Sequence, residues 1–315
     1  MVKIVFYMNC HYYSLKKYFD YQNIETQYIS TYGNIFQYKN KITPDSVKQG
    51  IINLLKNVDV LIYNPLNDKY GFWSSNNFIN NLKENCLKIK IPYMRTNLYN
   101  LGNRYYDLSK FSGKDHKYIN FYNIILEVLE HFINNHNEPN EKNIHFLIDY
   151  YDNFLKDESN IKMIEKHFTY SLKELKKYDM NSDIPMYDFV EENFKKHKLF
   201  LNYDHPSILY FGELFKRIMK LISNSYSIHL KEVKLFGHKE DPLKGTELHI
   251  PKYVKIYGNL LFNDDNIGFN GKTWNYKYVF KICCLIKFNK KYHNKFDEDN
   301  IDNFINQVKN HFLNI

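Results

Sequence analysis

The chain has few of the residues that break or redirect a backbone, with 11 glycines and 8 prolines among 315 residues. That scarcity excludes a flexible Gly/Ser linker and a proline-rich or collagen-like chain. Cysteine is also sparse: Cys10, Cys86, Cys283 and Cys284 form no C-x-x-C pair and no zinc or iron–sulfur spacing. No metal is expected, and free thiols point to a reducing, cytoplasmic location. No run approaches 18 apolar residues and the first residues carry no signal core, so no membrane span is expected. The formal charge is +8, from 43 Lys plus Arg against 35 Asp plus Glu. It is spread as single lysines rather than gathered into a basic stripe, so no nucleic-acid partner is expected. An anionic small molecule, such as a nucleotide-bearing cofactor or a nucleotide sugar, suits this charge.

What the chain does contain is a large apolar fraction, 44%, of which 29 Tyr and 24 Phe form the aromatic part. This composition folds, with enough length for one large domain or two packed ones. Abundant Asn, Ile, Lys and Tyr together reflect an AT-rich genome, whether of a microbe, a parasite or a large DNA virus in a host cytoplasm. A single Tyr or Asn therefore carries little weight by itself.

Strand and helix patterns alternate through the first hundred residues. Val2–Met8 reads as a buried strand, 12–19 as a helix, and Thr26–Ile29 as a short strand. Asp45 caps a helix through about 57, followed by a strand over Asp59–Tyr63, a helix over about 76–86 and a strand over Leu87–Ile91. The pattern predicts an α/β fold with a mostly parallel sheet flanked by helices. The middle reads as mainly helical, over 121–132, 160–167, 171–177, 188–197 and, most strongly, 207–223. Residues 253–262 and 278–286 fit strands or buried helix, and 300–312 a terminal helix. The expected division is a catalytic domain over 1–227, including helical insertions, and a closely packed, mixed C-terminal extension over 228–315.

Two segments carry chemistry. Asn9-Cys10-His11 stands directly after the first strand and before a helix. There a thiolate is stabilised by helix amides, and a buried structural cysteine fits the same pattern. Asn9 could donate to an oxyanion or cap the helix. The second segment is Asn202-Tyr203-Asp204-His205-Pro206, before the strongest helix. His205 is the better base, with Asp204 or a backbone carbonyl orienting it, and His11 ranks second. Asn64, at the end of a strand, suits an active-site loop, and Tyr70-Gly71 lies in the loop that follows. Arginine is rare, so Arg95 and Arg104 are candidates for phosphate, with ordinary surface charge as the other reading.

These landmarks together resemble the WcbI family of polysaccharide-biosynthesis proteins. The likeness runs from Asn9-Cys10-His11 through Asp59–Tyr63, Tyr70-Gly71, Ile91-Pro92, Ser171-Leu172 with Leu175, and Tyr187–Val190 to Leu199-Phe200 and Asn202–Pro206, covering about 1–225. Met8 stands where that family commonly has glycine, and His11 where it often has glutamine. The resemblance implies an SGNH-hydrolase-like core and transfer of an acetyl group from acetyl-coenzyme A to a sugar or nucleotide-sugar hydroxyl or amino group. It implies Cys10, His205 and Asn9 as catalytic residues, with His11, Asn64 and Asp204 catalytic or orienting. Arg95, Arg104, Tyr70 and Gly71 would then hold coenzyme A. A Cys/His hydrolase and a non-catalytic coenzyme A- or glycan-binding protein remain as alternatives, and a homo-oligomer stays open.

Overall fold

The structure, a computed structural model, describes residues 2–38, 43–99, 158–247, 250, 252–262, 266–269 and 272–275. Its contacts group the chain into two compact units, 1–98 with 169–244, and 99–168 with 245–315.

The first unit is built on β1 (Ile4–Met8), whose five side chains are all buried. Such an uninterrupted apolar strand is stable only inside a sheet covered on both faces. That is where it lies: β2 (Thr26–Ser30), β1, β3 (Val60–Tyr63) and β4 (Leu87–Lys90) form a parallel sheet in the order β2-β1-β3-β4. Between β1 and β2 runs α1 (Tyr12–Tyr21). Between β2 and β3 come α2 (Thr31–Tyr38), absent from the sequence reading, and α3 (Asp45–Leu55). A 3₁₀ segment (Asp68–Trp73) and α4 (Ser75–Asn80) precede β4. The α/β architecture is as the alternation predicts.

Alternate residues of β1 face two cores. Val5 and Tyr7 join Leu61, Tyr63, Leu55, Val58, Trp73, Phe78 and Cys86, with Tyr7 stacked on Phe78 at 3.9 Å. Phe6 faces the other way, edge-on to Phe19 of α1, which in turn meets Phe215. Phe215 belongs to α7 (Ile208–Ser225). That helix buries Phe211, Leu214, Phe215, Ile218, Met219 and Ile222 at helical spacing. Each such side chain contributes roughly 1.5–3 kcal/mol on burial.

Three helices differ in extent from expectation. The one expected over 76–86 ends at Asn80, where Asn81 turns its side-chain amide onto the Asn77 carbonyl, 2.7 Å away. Asparagine competes for backbone bonds in this way and ends helices readily. The two expected over 160–167 and 171–177 are one, α5 (Glu158–Asp179), since the gap in apolar spacing breaks no backbone bond. The expected 188–197 is shorter, as α6 (Tyr187–Asn193), with Asp179 accepting from the N–H groups of Met186 (2.6 Å) and Tyr187 at its start. No helix among the described residues is long and apolar enough to cross a membrane.

In the second unit the described elements are the start of α5, α8 (Lys252–Tyr257) and an antiparallel hairpin of β5 (Asn266–Phe269) with β6 (Lys272–Asn275). The 253–262 segment is thus helical, and it stops at Gly258-Asn259, with Asn259 at φ 52° in the left-handed region common after a helix end. The expected elements over 121–132, 278–286 and 300–312 lie outside the described residues.

The contact between α1 and α7 depends on Gly212. A Cβ there would stand 2.6 Å from the Tyr18 hydroxyl, which donates to the Ile208 carbonyl at 2.8 Å. Gly212→Ala gains up to about 1 kcal/mol of helix propensity but loses about 1–3 kcal/mol to overpacking. We expect net destabilisation in urea unfolding. In a Tyr18→Phe background the same substitution should cost at least about 1 kcal/mol less, because the colliding oxygen is gone. An unchanged cost would show that the clash is not at Tyr18.

Candidate functional site

In a parallel sheet of this order the chain passes from β1 to β2 on one side and then crosses back to β3 on the other, and the carboxyl ends of β1 and β3 at such a switch point are where ligands of open α/β sheets bind. Cys10 sits at that edge. Asn9 makes the turn: its side-chain oxygen accepts the N–H of His11 at 3.1 Å, and its carbonyl accepts the Tyr12 N–H at 3.2 Å and the Tyr28 hydroxyl at 3.0 Å. The strand is thereby converted into α1 within three residues, leaving Cys10 half-buried at the bend.

The second segment comes to the same place. Phe200 and Pro206 form an antiparallel bridge, the Leu201 N–H donates to the His205 carbonyl at 2.8 Å, and the Thr96 N–H donates to the Tyr203 carbonyl at 2.7 Å. Inside this loop the Asn202 side-chain oxygen accepts the N–H groups of Asp204 and His205, both at 3.0 Å. The turn brings neighbouring side chains together: Asp204 Oδ1 lies 3.1 Å from His205 Nδ1, and Asn202 Oδ1 lies 3.1 Å from the same nitrogen. Asn202 Nδ2 is also near it, at 2.8 Å. The opposite ring nitrogen, Nε2, is 3.1 Å from Cys10 Sγ. Thiol, imidazole and carboxylate thus stand in series, and the His205 and Asp204 side chains keep 17% and 31% of their exposure, so solvent reaches them.

Burial alone would push the His205 imidazole down, but hydrogen bonds to Asp204 and Cys10 outweigh it and raise it to about 10. Asp204 shows the reciprocal effect. Burial raises its carboxyl, yet His205 at hydrogen-bond distance, with His11 and Arg95 beyond, holds it below the usual range. With both ring nitrogens protonated, Nδ1–H is directed at Asp204 and Asn202 oxygens, and Nε2–H at sulfur.

His11 behaves in the opposite way. It is buried at 3% exposure, and desolvation lowers it to about 4. Its Nε2 is 2.5 Å from the Asp204 carbonyl, an acceptor only, so that nitrogen carries the proton. Nδ1 is then a buried acceptor without a partner among the described residues. The ring stands edge-on to His205 at 5.9 Å between centroids and does not touch Cys10 through a hydrogen bond. Its hydrogen bond is with the main chain of the His205 loop.

The remaining candidates are dispersed. Asn64 lies at the carboxyl end of β3, beside the Cys10 turn in the sheet order. Its N–H donates to the Tyr7 carbonyl at 3.1 Å and its amide nitrogen stands 3.5 Å from the Pro92 carbonyl, with no hydrogen bond to Cys10 or His205. Tyr70 packs on the core around Trp73 and Phe78, and Gly71 takes φ 56° and ψ −120°, a conformation that favours glycine. Arg95 is exposed after β4, with its guanidinium 5.4 Å from the ring centres of both Tyr93 and Tyr203. Arg104 lies outside the described residues, as do Cys283 and Cys284. Cys86 is a packed core thiol, raised by burial. Asp241 escaped the sequence reading. It is buried, accepts the Ile208 N–H at 2.6 Å at the start of α7, and accepts the Ser14 hydroxyl of α1 at 3.5 Å. No local sequence signal marks it.

The His11 environment makes a test by pH. Its folded value lies below the unfolded value of about 6.5, so the unfolded chain binds more protons between pH 6.5 and 4. The associated stability is fully present above pH 6.5 and is lost as pH falls through 4, on the order of 3 kcal/mol in all. His11→Gln keeps an N–H donor for the Asp204 carbonyl and removes the titration. Relative to wild type, the variant should gain about 2–3 kcal/mol in urea stability between pH 7.5 and 4. The difference isolates His11 from the carboxylates that also titrate there, and a pH-independent difference would refute its burial as a neutral ring.

No model of a known protein family matches the chain, and no curated protein matches it. Its fold is similar to a solved structure of WcbI, described as a polysaccharide biosynthesis enzyme, in its native form without a disulfide bond between coenzyme A and one of its cysteines. The match covers 98% of this chain and 94% of that one, with a TM-score of 0.65 and 16% identity. At that identity the likeness is one of fold: this chain has a WcbI-like α/β architecture.

Proposed function

We propose that the protein transfers an acetyl group from acetyl-coenzyme A to a hydroxyl or amino group of a sugar or nucleotide sugar, through a covalent acetyl-Cys10 intermediate. The carrying observation is the 3.1 Å approach of Cys10 Sγ and His205 Nε2 at the carboxyl edge of the parallel sheet, with Asp204 behind the imidazole. The fold likeness to WcbI, a polysaccharide biosynthesis enzyme whose native form is distinguished by the absence of a disulfide bond between coenzyme A and one of its cysteines, adds support.

The raised His205 enters the reaction as an imidazolium with Nε2–H directed at the Cys10 sulfur, rather than as a neutral base waiting for the acceptor. Cys10 thiolate attacks the thioester carbonyl, and the Asn9 side-chain N–H is the donor to the oxyanion. As the tetrahedral adduct collapses, the coenzyme A thiolate leaves and takes the proton from His205 Nε2. His205 is now neutral, with Asp204 still holding Nδ1–H. The acceptor hydroxyl or amine attacks acetyl-Cys10 while His205 takes its proton. Collapse returns the thiolate, the imidazolium and the acetylated product, so every proton is accounted for.

Incubation with acetyl-coenzyme A should leave a +42 Da adduct, the mass of an acetyl group, on the Cys10 peptide. A panel of nucleotide sugars should then discharge it with formation of product. Cys10→Ala should abolish the adduct, and His205→Asn should lower transfer about 10²–10⁴-fold in a protein that remains folded. A folded wild type without affinity for coenzyme A overturns the transferase reading. Hydrolysis of simple thioesters without acceptor in that same protein would establish the Cys10/His205 hydrolase instead.

A further inference from the structure

Arginine occupies three positions in a chain whose positive charge is otherwise lysine, and the two described ones are used differently. Arg217 is tied to Asp188 at 2.7 Å and Glu213 at 2.8 Å, a closed structural cluster. Arg95 has no carboxylate at ion-pair distance among the described residues. Its backbone is set by a 3.0 Å bond from its own N–H to the Tyr93 carbonyl, and its guanidinium rests against the Tyr93 and Tyr203 rings. Aromatic faces fix the plane of a guanidinium while leaving its N–H groups open, an arrangement that suits bidentate capture of an oxyanion. Lysine would supply the surface charge equally well but not this fork.

The place matters as much as the residue. Tyr203 precedes Asp204 and His205 in the loop that carries the base, and the neighbouring Thr96 N–H holds the Tyr203 carbonyl. The Arg95 guanidinium reaches the ring of Tyr203, the residue directly before Asp204, and is among the charges that hold the Asp204 carboxyl below its usual range. It therefore belongs to the surroundings of the imidazole. With its sulfur at Cys10 and its pantetheine arm extended, coenzyme A would hold its first phosphate roughly 15 Å from that sulfur on ordinary bond lengths. A sugar ring is about a third of that across, so a phosphate or carboxylate on the acceptor falls close to the hydroxyl that His205 deprotonates.

From this position we infer that Arg95, held between Tyr93 and Tyr203, is an anion subsite for the acyl acceptor, which carries a phosphate or a carboxylate next to its reacting hydroxyl or amine. The sequence places Arg95 among candidates for the coenzyme phosphates; its contact with Tyr203 of the His205 loop gives it to the other substrate. The assignment to an acceptor rests on the transferase reading, whereas the anion subsite itself does not.

Calorimetric titration of the full chain with glucose 1-phosphate, UDP-glucose, glucuronate, glucose and coenzyme A tests it. Wild type should bind one or more of the anionic sugars and not glucose, with affinity falling as salt rises. Arg95→Met, which keeps the stem of an exposed side chain, should weaken anionic sugars about 10- to 100-fold, and Arg95→Lys by less. Coenzyme A binding should change less than about twofold. Preference for glucose 1-phosphate or UDP-glucose over glucuronate identifies phosphate as the anion, and the reverse identifies carboxylate. Weakened coenzyme A with unchanged sugars overturns the inference, as does a variant that alters neither or a wild type that binds no anionic sugar. If coenzyme A fails to bind while anionic sugars bind through Arg95, the transferase reading falls and the subsite stands.

Discussion

The site depends on one side-chain carbonyl. Asn202 Oδ1 accepts two successive backbone N–H groups, and only in that turn do the adjacent side chains of Asp204 and His205 meet. In a strand or helix they would point apart. Each of these bonds contributes about 1 kcal/mol net, and leaving the loop's N–H groups unpaired would cost more than the bonds provide. The Phe200–Pro206 bridge closes the loop and the Thr96 contact ties it to the segment after β4, so the imidazole stands 3.1 Å from the Cys10 sulfur already oriented.

Two histidines with rings 5.9 Å apart are driven to opposite charge states by what surrounds them. His205 has a carboxylate on one side and a thiol on the other, and these outweigh its burial. His11 has only a main-chain carbonyl for its proton, so desolvation dominates and it stays neutral. Its charge would also meet that of His205, which depresses it further. Environments that push neighbouring titrating groups apart are a general way of assigning roles in a polar site. Here the same logic separates a charged ring beside the Cys10 thiol from a neutral ring that holds the loop.

The sheet was legible because its signals are local. Val2–Met8 is a continuous apolar run, and a buried parallel strand needs nothing else to be recognised. Cys10 followed from that strand's end, and His205 from the turn before α7. Asn202 stands where a turn residue belongs, since an asparagine side chain that accepts from the N–H groups two and three positions later is a local pattern. Asp241 and Arg95 were harder for a physical reason: their work depends on partners far away in sequence, Ser14 and Ile208 for one, Tyr203 for the other. The length of α4 failed because the amide of Asn81 outcompetes the helix it could have extended. His11 could be ranked but not assigned, because burial and the Asp204 carbonyl decide its tautomer.

Cys10 and His205 are far apart in the chain, so their approach is a tertiary fact maintained by the packing of α1 on α7. That interface has an apolar part, with Phe19 and Tyr18 against Phe215, and a polar part in Asp241. One Asp241 oxygen takes the N–H that begins α7, and the other takes Ser14 in the first turn of α1. Ser207, at the helix N-cap, makes no cap bond with its own side chain, so the carboxylate supplies what the local sequence omits. A cap from a residue's own helix would stabilise α7 alone. A cap from Asp241 also engages α1, and so links the start of the helix after His205 to the start of the helix after Cys10. The cost of burying that charge is offset by several donors at once, and what it secures is the register of the two chemical groups rather than either helix by itself.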